Sequence, residues 1–181
     1  MNESQQCLTG PGLIQVYTGD GKGKTTAALG LALRAAGCGL RTYMGQFMKG
    51  QQYGELAGAR LLAPYLTIEQ YGQPSFVHVH QATPEDIRMA HEGLDKARAA
   101  MLSGQYAIIV LDEVCVALHF ELLTLDEVLS ILDEKPTGVE LVLTGRRAPE
   151  ALLDRADLVT EMREVKHPYA KGVQARQGIE Y

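Results

Sequence analysis

The chain has 181 residues, of which 46% are apolar and 22% charged, and its formal net charge is −5. This length and composition are typical of one globular domain, and the acidic balance excludes a general attraction to nucleic acid. No apolar run of about 18 residues occurs, so we expect no membrane span. The first residues lack the basic and apolar regions of a signal peptide, and three cysteines without a C-x-x-C motif indicate reduced thiols, so we expect a cytoplasmic protein.

Apolar, β-rich runs alternate with helical patterns along the chain, as they do in parallel α/β sheets. The predicted strands cover residues 13–17, 41–47, 66–71, 106–111, 139–144 and 158–162. The predicted helices cover 25–36, about 83–102, 124 to just before Pro136, and 149–156, with Thr83 and Thr124 as N-caps. We therefore predict an α/β fold whose mostly parallel central sheet has about six strands, with helices on both faces.

No repeat or linker interrupts this alternation, so residues 1–181 are interpreted as a single domain with a flexible N-terminal arm (1–11) and a polar C-terminal tail (167–181). Two internal segments are predicted to be irregular. Residues 49–60 contain three glycines, and residues 72–83 contain Pro74 and two histidines. Because both segments follow strands, and ligands of open α/β sheets bind beyond the carboxyl ends of strands, we expect both to lie over a ligand site.

Residues 18–26 read Thr-Gly-Asp-Gly-Lys-Gly-Lys-Thr-Thr and lie between the first predicted strand and the first predicted helix. A glycine-rich turn that enters a helix through Gly-Lys-Thr presents backbone N–H groups and a helix dipole to a polyphosphate. In this pattern Lys24 reaches between phosphate groups and Thr25 offers its hydroxyl to Mg²⁺. The predicted nucleotide-binding residues are Gly19, Asp20, Gly21, Lys22, Gly23, Lys24, Thr25 and Thr26.

The loop departs from the usual spacing, because Thr18 stands where the first glycine is expected and Gly19 follows it. The turn before Lys24 is therefore one residue shorter than usual, and it carries two further charged side chains, Asp20 and Lys22. A glycine-rich turn without a ligand is the alternative. It is disfavoured because strand, loop, lysine, hydroxyl and helix occur in the required order.

Charged residues also follow two later strands. Asp112 and Glu113 end the most apolar run, where a carboxylate beside the phosphate loop can hold Mg²⁺ together with Thr25. The alternative for this pair is capping of the next helix. Arg146 follows another strand, and its planar guanidinium group can bind the oxygens of a polyphosphate. The alternative, an arginine in a surface loop without a ligand, is equally compatible with this spacing. His78 and His80 have a spacing that can bind a metal, but no third ligand is evident, so a loop or core pair is the default.

Together these motifs resemble the ATP:corrinoid adenosyltransferases of the bacterial cobalamin pathway, in the branch with a RecA-like P-loop fold. The resemblance covers the chain from Gly12 onward. It is carried by segments 16–26, 46–50, 110–113, 125–128, 144–146, 165–167 and 172–181. The shortened loop combined with the tail is more specific than the phosphate loop alone.

The resemblance implies that the protein transfers the 5′-deoxyadenosyl group of ATP to the cobalt of a reduced corrinoid, cob(I)alamin or cob(I)yrinic acid a,c-diamide, and releases triphosphate. Such a reaction serves adenosylcobalamin biosynthesis or salvage. Co(I) is itself the nucleophile, so the protein needs no general base. Lys24, Lys22 and Arg146 are then the expected catalytic residues, which stabilise the leaving triphosphate. Thr25, Asp112 and Glu113 are the expected Mg²⁺ ligands.

The resemblance also implies contacts to the corrinoid. Some family members carry Phe-x-Trp after the third strand; here Phe76 matches the phenylalanine and His78 stands at the tryptophan position. The implied partners are an electron donor, such as a flavoprotein reductase, and a second copy in a homodimer. The alternatives that the phosphate loop leaves open are a P-loop NTPase or small-molecule kinase, and a nucleotide-dependent corrinoid carrier.

Overall fold

A computed structural model describes residues 10–74 and 82–181. The strands of its sheet are β1 (Ile14–Thr18), β2 (Thr42–Phe47), β3 (Leu66–Tyr71), β4 (Ile108–Asp112), β5 (Glu140–Thr144) and β6 (Leu158–Glu161). The helices are α1 (Lys24–Gly37), α2 (Gly54–Leu61), α3 (Pro84–Leu102), α4 (Val114–His119), α5 (Leu125–Glu134) and α6 (Glu150–Arg155). A short 3-10 helix, Pro168–Lys171, follows in the tail.

Every neighbouring pair of strands is parallel, and the strand order is β3-β2-β4-β5-β1-β6. Because β5 lies between β1 and β4, the loops that follow these three strands leave the sheet side by side, at the edge where ligands of parallel sheets bind. The predicted α/β fold with a mostly parallel sheet of about six strands is confirmed. The architecture is consistent with a RecA-like P-loop fold.

Hydrophobic clusters cover both faces of the sheet. In β4, Ile109 and Leu111 belong to the cluster that includes residues of α3 and α5, whereas Ile108 and Val110 belong to the cluster that includes Ala28 of α1. Successive residues of a strand point to opposite faces, so burial on both faces explains the continuous apolar run of this strand.

Two helix starts follow the predicted capping chemistry. The hydroxyl oxygens of Thr83, before α3, and Thr124, before α5, each accept a hydrogen bond from the backbone N–H three residues later. In turn, the carboxylates of Asp86 and Glu127 accept a hydrogen bond from the backbone N–H of the capping threonine. The predicted N-caps are therefore confirmed, with Pro84 in the first turn of α3. In the part of the chain that the structure describes, no helix is both long and apolar enough to cross a bilayer.

The structure differs from the prediction in segment 49–60, which contains a helix. Gly54 and Gly58 both lie within α2, although glycine lowers helix propensity by roughly 1 kcal/mol per residue relative to alanine. Tertiary contacts stabilise the helix instead, because Ala59 packs with Ala32 and Leu66 in a cluster of its own. Local composition therefore gave the wrong secondary structure here, while the predicted position of the segment beside the phosphate loop is observed.

Candidate functional site

The phosphate loop, residues 19–23, connects β1 to α1 and packs against the chain that follows β6. The N–H of Gly21 donates to the carbonyl oxygen of Met162 at 2.7 Å. A Cβ would lie 2.7 Å from that oxygen at Gly21 and 2.5 Å from it at Gly19, so no side chain fits at either position. Gly23 has φ of +122° immediately before α1 begins. The glycines therefore permit the close packing of the loop against the chain that follows β6.

The ammonium of Lys24 lies against the loop. It donates to the carbonyl oxygens of Gly19 at 2.7 Å and Gly21 at 2.8 Å. Only 6% of the residue is exposed, and burial lowers the pKa of its ammonium below the ordinary value. The loop carbonyls therefore hold this positive charge at the cavity that the loop lines.

Asp112, at the end of β4, is the wholly buried acceptor at the centre of the site. Its Oδ1 accepts from the hydroxyls of Thr25 at 2.8 Å and Thr144 at 2.7 Å. Its Oδ2 accepts from the amide of Gln46 at 3.2 Å and the ammonium of Lys49 at 2.9 Å. Donors from α1, β2, β5 and the loop after β2 thus satisfy one carboxylate, as a buried charge requires.

Lys49 brings a second ammonium to this centre. Its Nζ lies 3.5 Å from Thr25 Oγ1, 3.8 Å from Glu55 Oε1 and 5.4 Å from the centre of the Tyr53 ring. Burial alone would lower the pKa of Lys49, but the carboxylates of Asp112 and Glu55 outweigh burial and raise it. Lys49 is therefore a firmly charged group in contact with both Thr25 and Asp112.

Glu113 follows Asp112 with a left-handed backbone, φ 64°, and its N–H donates to Thr144 Oγ1 at 2.9 Å. Burial, and next the charge of Asp112, raise the pKa of its carboxyl. Glu113 is the N-cap residue of α4, but its side chain makes no capping hydrogen bond. The capping alternative for this pair therefore lacks support, and the Glu113 carboxyl lines the cavity instead.

These groups surround a cavity of about 660 Å³, a size within the range of about 300–1,000 Å³ that is usual for small-molecule sites. Positively charged side chains from three segments converge on it: Lys22 and Lys24, Lys49, and Arg146. The acidic lining residues are Glu55, Glu113 and Glu180. The cavity thus combines a glycine-rich loop, a helix N-terminus and several cations, which is the chemistry of a polyphosphate site.

The structure brings most of the predicted site residues together. Those that line the cavity are Gly21, Lys22, Gly23, Lys24, Thr25, Thr26, Glu113 and Arg146. Gly19 and Asp112 lie behind the lining, in contact with Lys24 and Thr25. Asp20 is exposed and is not part of the lining. Phe76, His78 and His80 fall outside the described residues.

Several lining residues were not among the site residues predicted from the sequence, although segment 49–60 as a whole was expected to lie over the ligand site. Tyr53, Gly54 and Glu55 come from the start of α2, whose helix was not predicted. His167 and residues 178–181 come from the tail. The tail reaches the loop through Lys22, whose Nζ donates to the Ile179 carbonyl at 3.1 Å and lies 3.7 Å from Glu180. The two segments are more than 150 residues apart, so no local pattern could have revealed the contact.

The donor set at the centre fits Mg²⁺. Thr25 and Asp112 offer a hydroxyl and a carboxylate, which are hard oxygen ligands, and Mg²⁺ usually keeps several waters or phosphate oxygens besides one or two carboxylates. Within residues 10–74 and 82–181, no cluster of three or more His, Cys, Asp or Glu side chains could hold a metal ion alone. The residues therefore suit a metal that is shared with phosphates rather than a metal held by the protein alone.

Comparison with known proteins adds independent information. The family model described as ATP:corrinoid adenosyltransferase BtuR/CobO/CobP matches residues 11–181. A corrinoid adenosyltransferase of Escherichia coli K12 is 36% identical over 171 residues, which covers 94% of this chain and 86% of the relative. One from Sinorhizobium is 35% identical over 182 residues, covering 94% of this chain and 80% of the relative. An uncharacterized protein of Nostoc is 40% identical over 173 residues; the match covers 88% of this chain and only 46% of that longer protein.

Proposed function

This chain belongs to the ATP:corrinoid adenosyltransferase family, and from that premise we propose that ATP reacts in the cavity beside the phosphate loop. The enzyme transfers the 5′-deoxyadenosyl group of ATP to the cobalt of a reduced corrinoid and releases triphosphate. This position of ATP is supported by one observation: four positively charged side chains converge on a cavity lined by a glycine-rich loop. They are Lys22, Lys24, Lys49 and Arg146. This arrangement can hold a departing polyanion.

The chemistry requires positioning rather than a protein nucleophile. The electron pair of Co(I) forms the bond to C5′, while the C5′–O bond breaks and its electron pair leaves with the triphosphate. Cys115, the thiol nearest the site in sequence, is wholly buried, and burial raises the pKa of that thiol to about 12, so it does not compete as a nucleophile. The protein must align cobalt with C5′ and stabilise the leaving group.

Lys24, Lys22 and Arg146 are assigned to that stabilisation. Lys24 is buried at the loop, so its charge acts with little screening by water. Lys22, on the loop, and Arg146, after β5, are exposed at the cavity and can contact the triphosphate there. The loop amide of Gly23 and the N-terminus of α1 complete the anion site.

Thr25 and Asp112 are assigned to Mg²⁺, with Glu113 at the cavity wall beside them. The ion would add positive charge next to the departing triphosphate. Thr144 and Gln46 orient the Asp112 carboxylate by hydrogen bonds from β5 and β2. These two residues fix the direction of its oxygens.

The corrinoid is proposed to lie near residues 75–81, on the basis of the family pattern. Phe76 and His78 are the candidates for contact with it. Phe76→Ala should slow the reaction that starts from Co(II) more than the reaction that starts from pre-reduced Co(I). Equal losses in the two assays would show that Phe76 only packs.

Three further assignments are part of the proposal. A flavoprotein reductase supplies the electron that gives Co(I), the protein works in the cytoplasm, and it forms a homodimer. The free thiols of Cys38 and Cys115 support a reducing compartment. Light scattering after size-exclusion chromatography measures the molar mass in solution, and the mass of a monomer would contradict the homodimer assignment.

The decisive experiment identifies the phosphate product. The protein is incubated with ATP, Mg²⁺ and chemically reduced cobalamin in the dark, and the products are resolved by ³¹P NMR and absorption spectroscopy. We expect triphosphate together with a light-sensitive Co–C product in equal amounts. ADP and orthophosphate would instead indicate cleavage at the γ-phosphate, and tight binding of adenosylated corrinoid without turnover would indicate a carrier.

A further inference from the structure

We propose that Lys49 is a positioning residue that occupies the metal ligands until nucleotide arrives, so that the enzyme takes up Mg²⁺ together with ATP and not alone. This inference rests on the proposed assignment of Thr25 and Asp112 to Mg²⁺. It adds a role for a lysine that lies outside the phosphate loop, and it makes the order of metal and nucleotide binding a property of one side chain.

The geometry places the ammonium of Lys49 against both proposed ligands. Its Nζ lies 2.9 Å from Asp112 Oδ2 and 3.5 Å from Thr25 Oγ1. Those two ligands are themselves 2.8 Å apart through Asp112 Oδ1. One cation therefore already satisfies the oxygen pair that a metal ion would use.

A second cation at the same oxygens would be strongly repelled. Asp112 is wholly buried and the Lys49 side chain is only 16% exposed, so water and salt screen the repulsion weakly. The ammonium also lies 3.8 Å from Glu55 Oε1, a second carboxylate that stabilises its charge there. A bare divalent ion must therefore displace Lys49 from Asp112 before it can bind there.

A bound nucleotide offers its phosphate oxygens as an alternative partner for the Lys49 ammonium. The Lys49 side chain lines the same cavity as Lys24 and Arg146. A lysine has four flexible methylene groups and a compact charge, so its ammonium can exchange the Asp112 carboxylate for a phosphate oxygen. In that exchange Asp112 and Thr25 would hold the metal ion, whose charge would balance the carboxylate, and the Lys49 ammonium would add to the positive charge around the triphosphate, so no buried charge would lose its partner.

The competing explanation is that Lys49 is only a fixed partner for a buried carboxylate. Both kinds of ion pair repel a metal ion in the nucleotide-free protein, so the two explanations differ only when nucleotide is bound. A fixed partner would lower the affinity for Mn²⁺–ATP as much as the affinity for Mn²⁺ alone, whereas a lysine that turns to the phosphates would lower only the affinity for Mn²⁺ alone. Mn²⁺ serves as the probe, because free and bound Mn²⁺ are distinguished by electron paramagnetic resonance. The experiment titrates Mn²⁺ into the full-length protein without nucleotide and, separately, in the presence of saturating ATP.

We expect Lys49→Met to bind Mn²⁺ at least tenfold more tightly than the wild type, and Lys49→Arg, which keeps the charge, to remain close to the wild type. Lys22→Met is the matched control, since it removes a cation from the same cavity without a contact to Asp112. Unchanged affinity in Lys49→Met, an equal gain in Lys22→Met, or a Lys49→Met gain that is as large for Mn²⁺–ATP as for Mn²⁺ alone would overturn the proposal. Lys49→Gln, which keeps a hydrogen-bond donor, replaces Lys49→Met if the latter does not fold.

A further variant separates this inference from the function on which it rests. Asp112→Asn should weaken binding of the Mn²⁺–ATP complex in the wild-type background and abolish the gain in the Lys49→Met background. If Asp112→Asn leaves Mn²⁺–ATP binding unchanged, the metal assignment itself is wrong. If Asp112→Asn weakens that binding but Lys49→Met shows no gain, the metal assignment stands and only the role of Lys49 is refuted.

Discussion

Thr144 makes two hydrogen bonds that hold the centre of the site. Its hydroxyl donates to Asp112 at 2.7 Å and accepts from the N–H of Glu113 at 2.9 Å. Thr144→Val keeps the shape but leaves that N–H without its acceptor, so we expect a loss of about 1–3 kcal/mol in the free energy of unfolding. Urea denaturation followed by circular dichroism measures it.

Thr42→Val is the matched control for this prediction. Thr42 is also wholly buried at a strand, but its hydroxyl has no hydrogen-bond partner among the described residues. Replacing an unsatisfied hydroxyl with a methyl group should be neutral or stabilising. Similar losses at the two positions would mean that the Thr144 hydrogen bonds contribute nothing specific.

Lys24 is the single side chain on which nucleotide binding should depend most. Lys24→Ala removes a charge-assisted contact of about 1.5–3 kcal/mol, so we expect the ATP dissociation constant to rise roughly 10- to 150-fold. Isothermal titration calorimetry measures this constant. Lys96→Ala, at an exposed position of α3, should leave it unchanged. A folded Lys24→Ala protein with wild-type affinity would place the nucleotide elsewhere.

The sequence predicted the part of this site that is contiguous in the chain. The loop and Lys24 were predicted from a local pattern, and Asp112 from its place at the end of an apolar run. The partners of Asp112 depend on strand pairing instead. Gln46 lies opposite Asp112 in the β2–β4 register, and Lys49 follows the same strand. Their contacts with Asp112 could therefore not be predicted before the sheet order was known.

The contribution of an N-cap to stability can be tested at α5, where Thr124 and Glu127 form a capping box. Thr124→Ala should cost about 1 kcal/mol of stability at neutral pH. Ser130→Ala is the control on the same helix, because its hydroxyl donates to the exposed side chain of Glu134 and makes no capping bond. Chemical denaturation of both variants gives the comparison, and equal costs would contradict a specific role of the cap.

The same capping box predicts a pH dependence. Hydrogen bonds from the side chain and backbone of Thr124 lower the pKa of Glu127 below its ordinary 4.5. A carboxyl with a lowered pKa in the folded state stabilises the protein above its ordinary pKa, and this contribution is lost as the pH falls through the lowered value. The stability difference between wild type and Thr124→Ala should therefore narrow in acid. A difference that widened there would contradict the assignment.

Sequence patterns predicted the strands and the capped helices because their signals are local. The strands are short apolar runs, and α3 and α5 begin with recognisable caps. The pattern failed at α2, where Gly54 and Gly58 obscured a helix that packing on the sheet stabilises. The result matters for function, since this helix start carries Tyr53 and Glu55 to the cavity.

The sheet places the first strand of the described chain, β1, next to its last strand, β6. β1 and its phosphate loop lie beside β6, and the chain after β6 leads into the tail. The tail returns to the cavity, where Glu180 lies 3.7 Å from Lys22. Hydrogen bonds from Arg176 lower the pKa of Glu180 to about 2, so this carboxylate stays charged near the anion site at neutral pH.

A polyphosphate must therefore compete with Glu180 for Lys22. Glu180→Gln removes the competing charge but keeps a side chain of the same size. We expect the affinity for inorganic tripolyphosphate to rise about two- to fivefold at low salt, as is typical of an exposed ion pair, and the gain to shrink as the salt concentration rises. Calorimetric titration at two ionic strengths measures both effects. Glu164→Gln, at an exposed position just before the tail, is the charge-matched control. A weaker affinity in Glu180→Gln would show instead that Glu180 holds Lys22 in the position that binds phosphate.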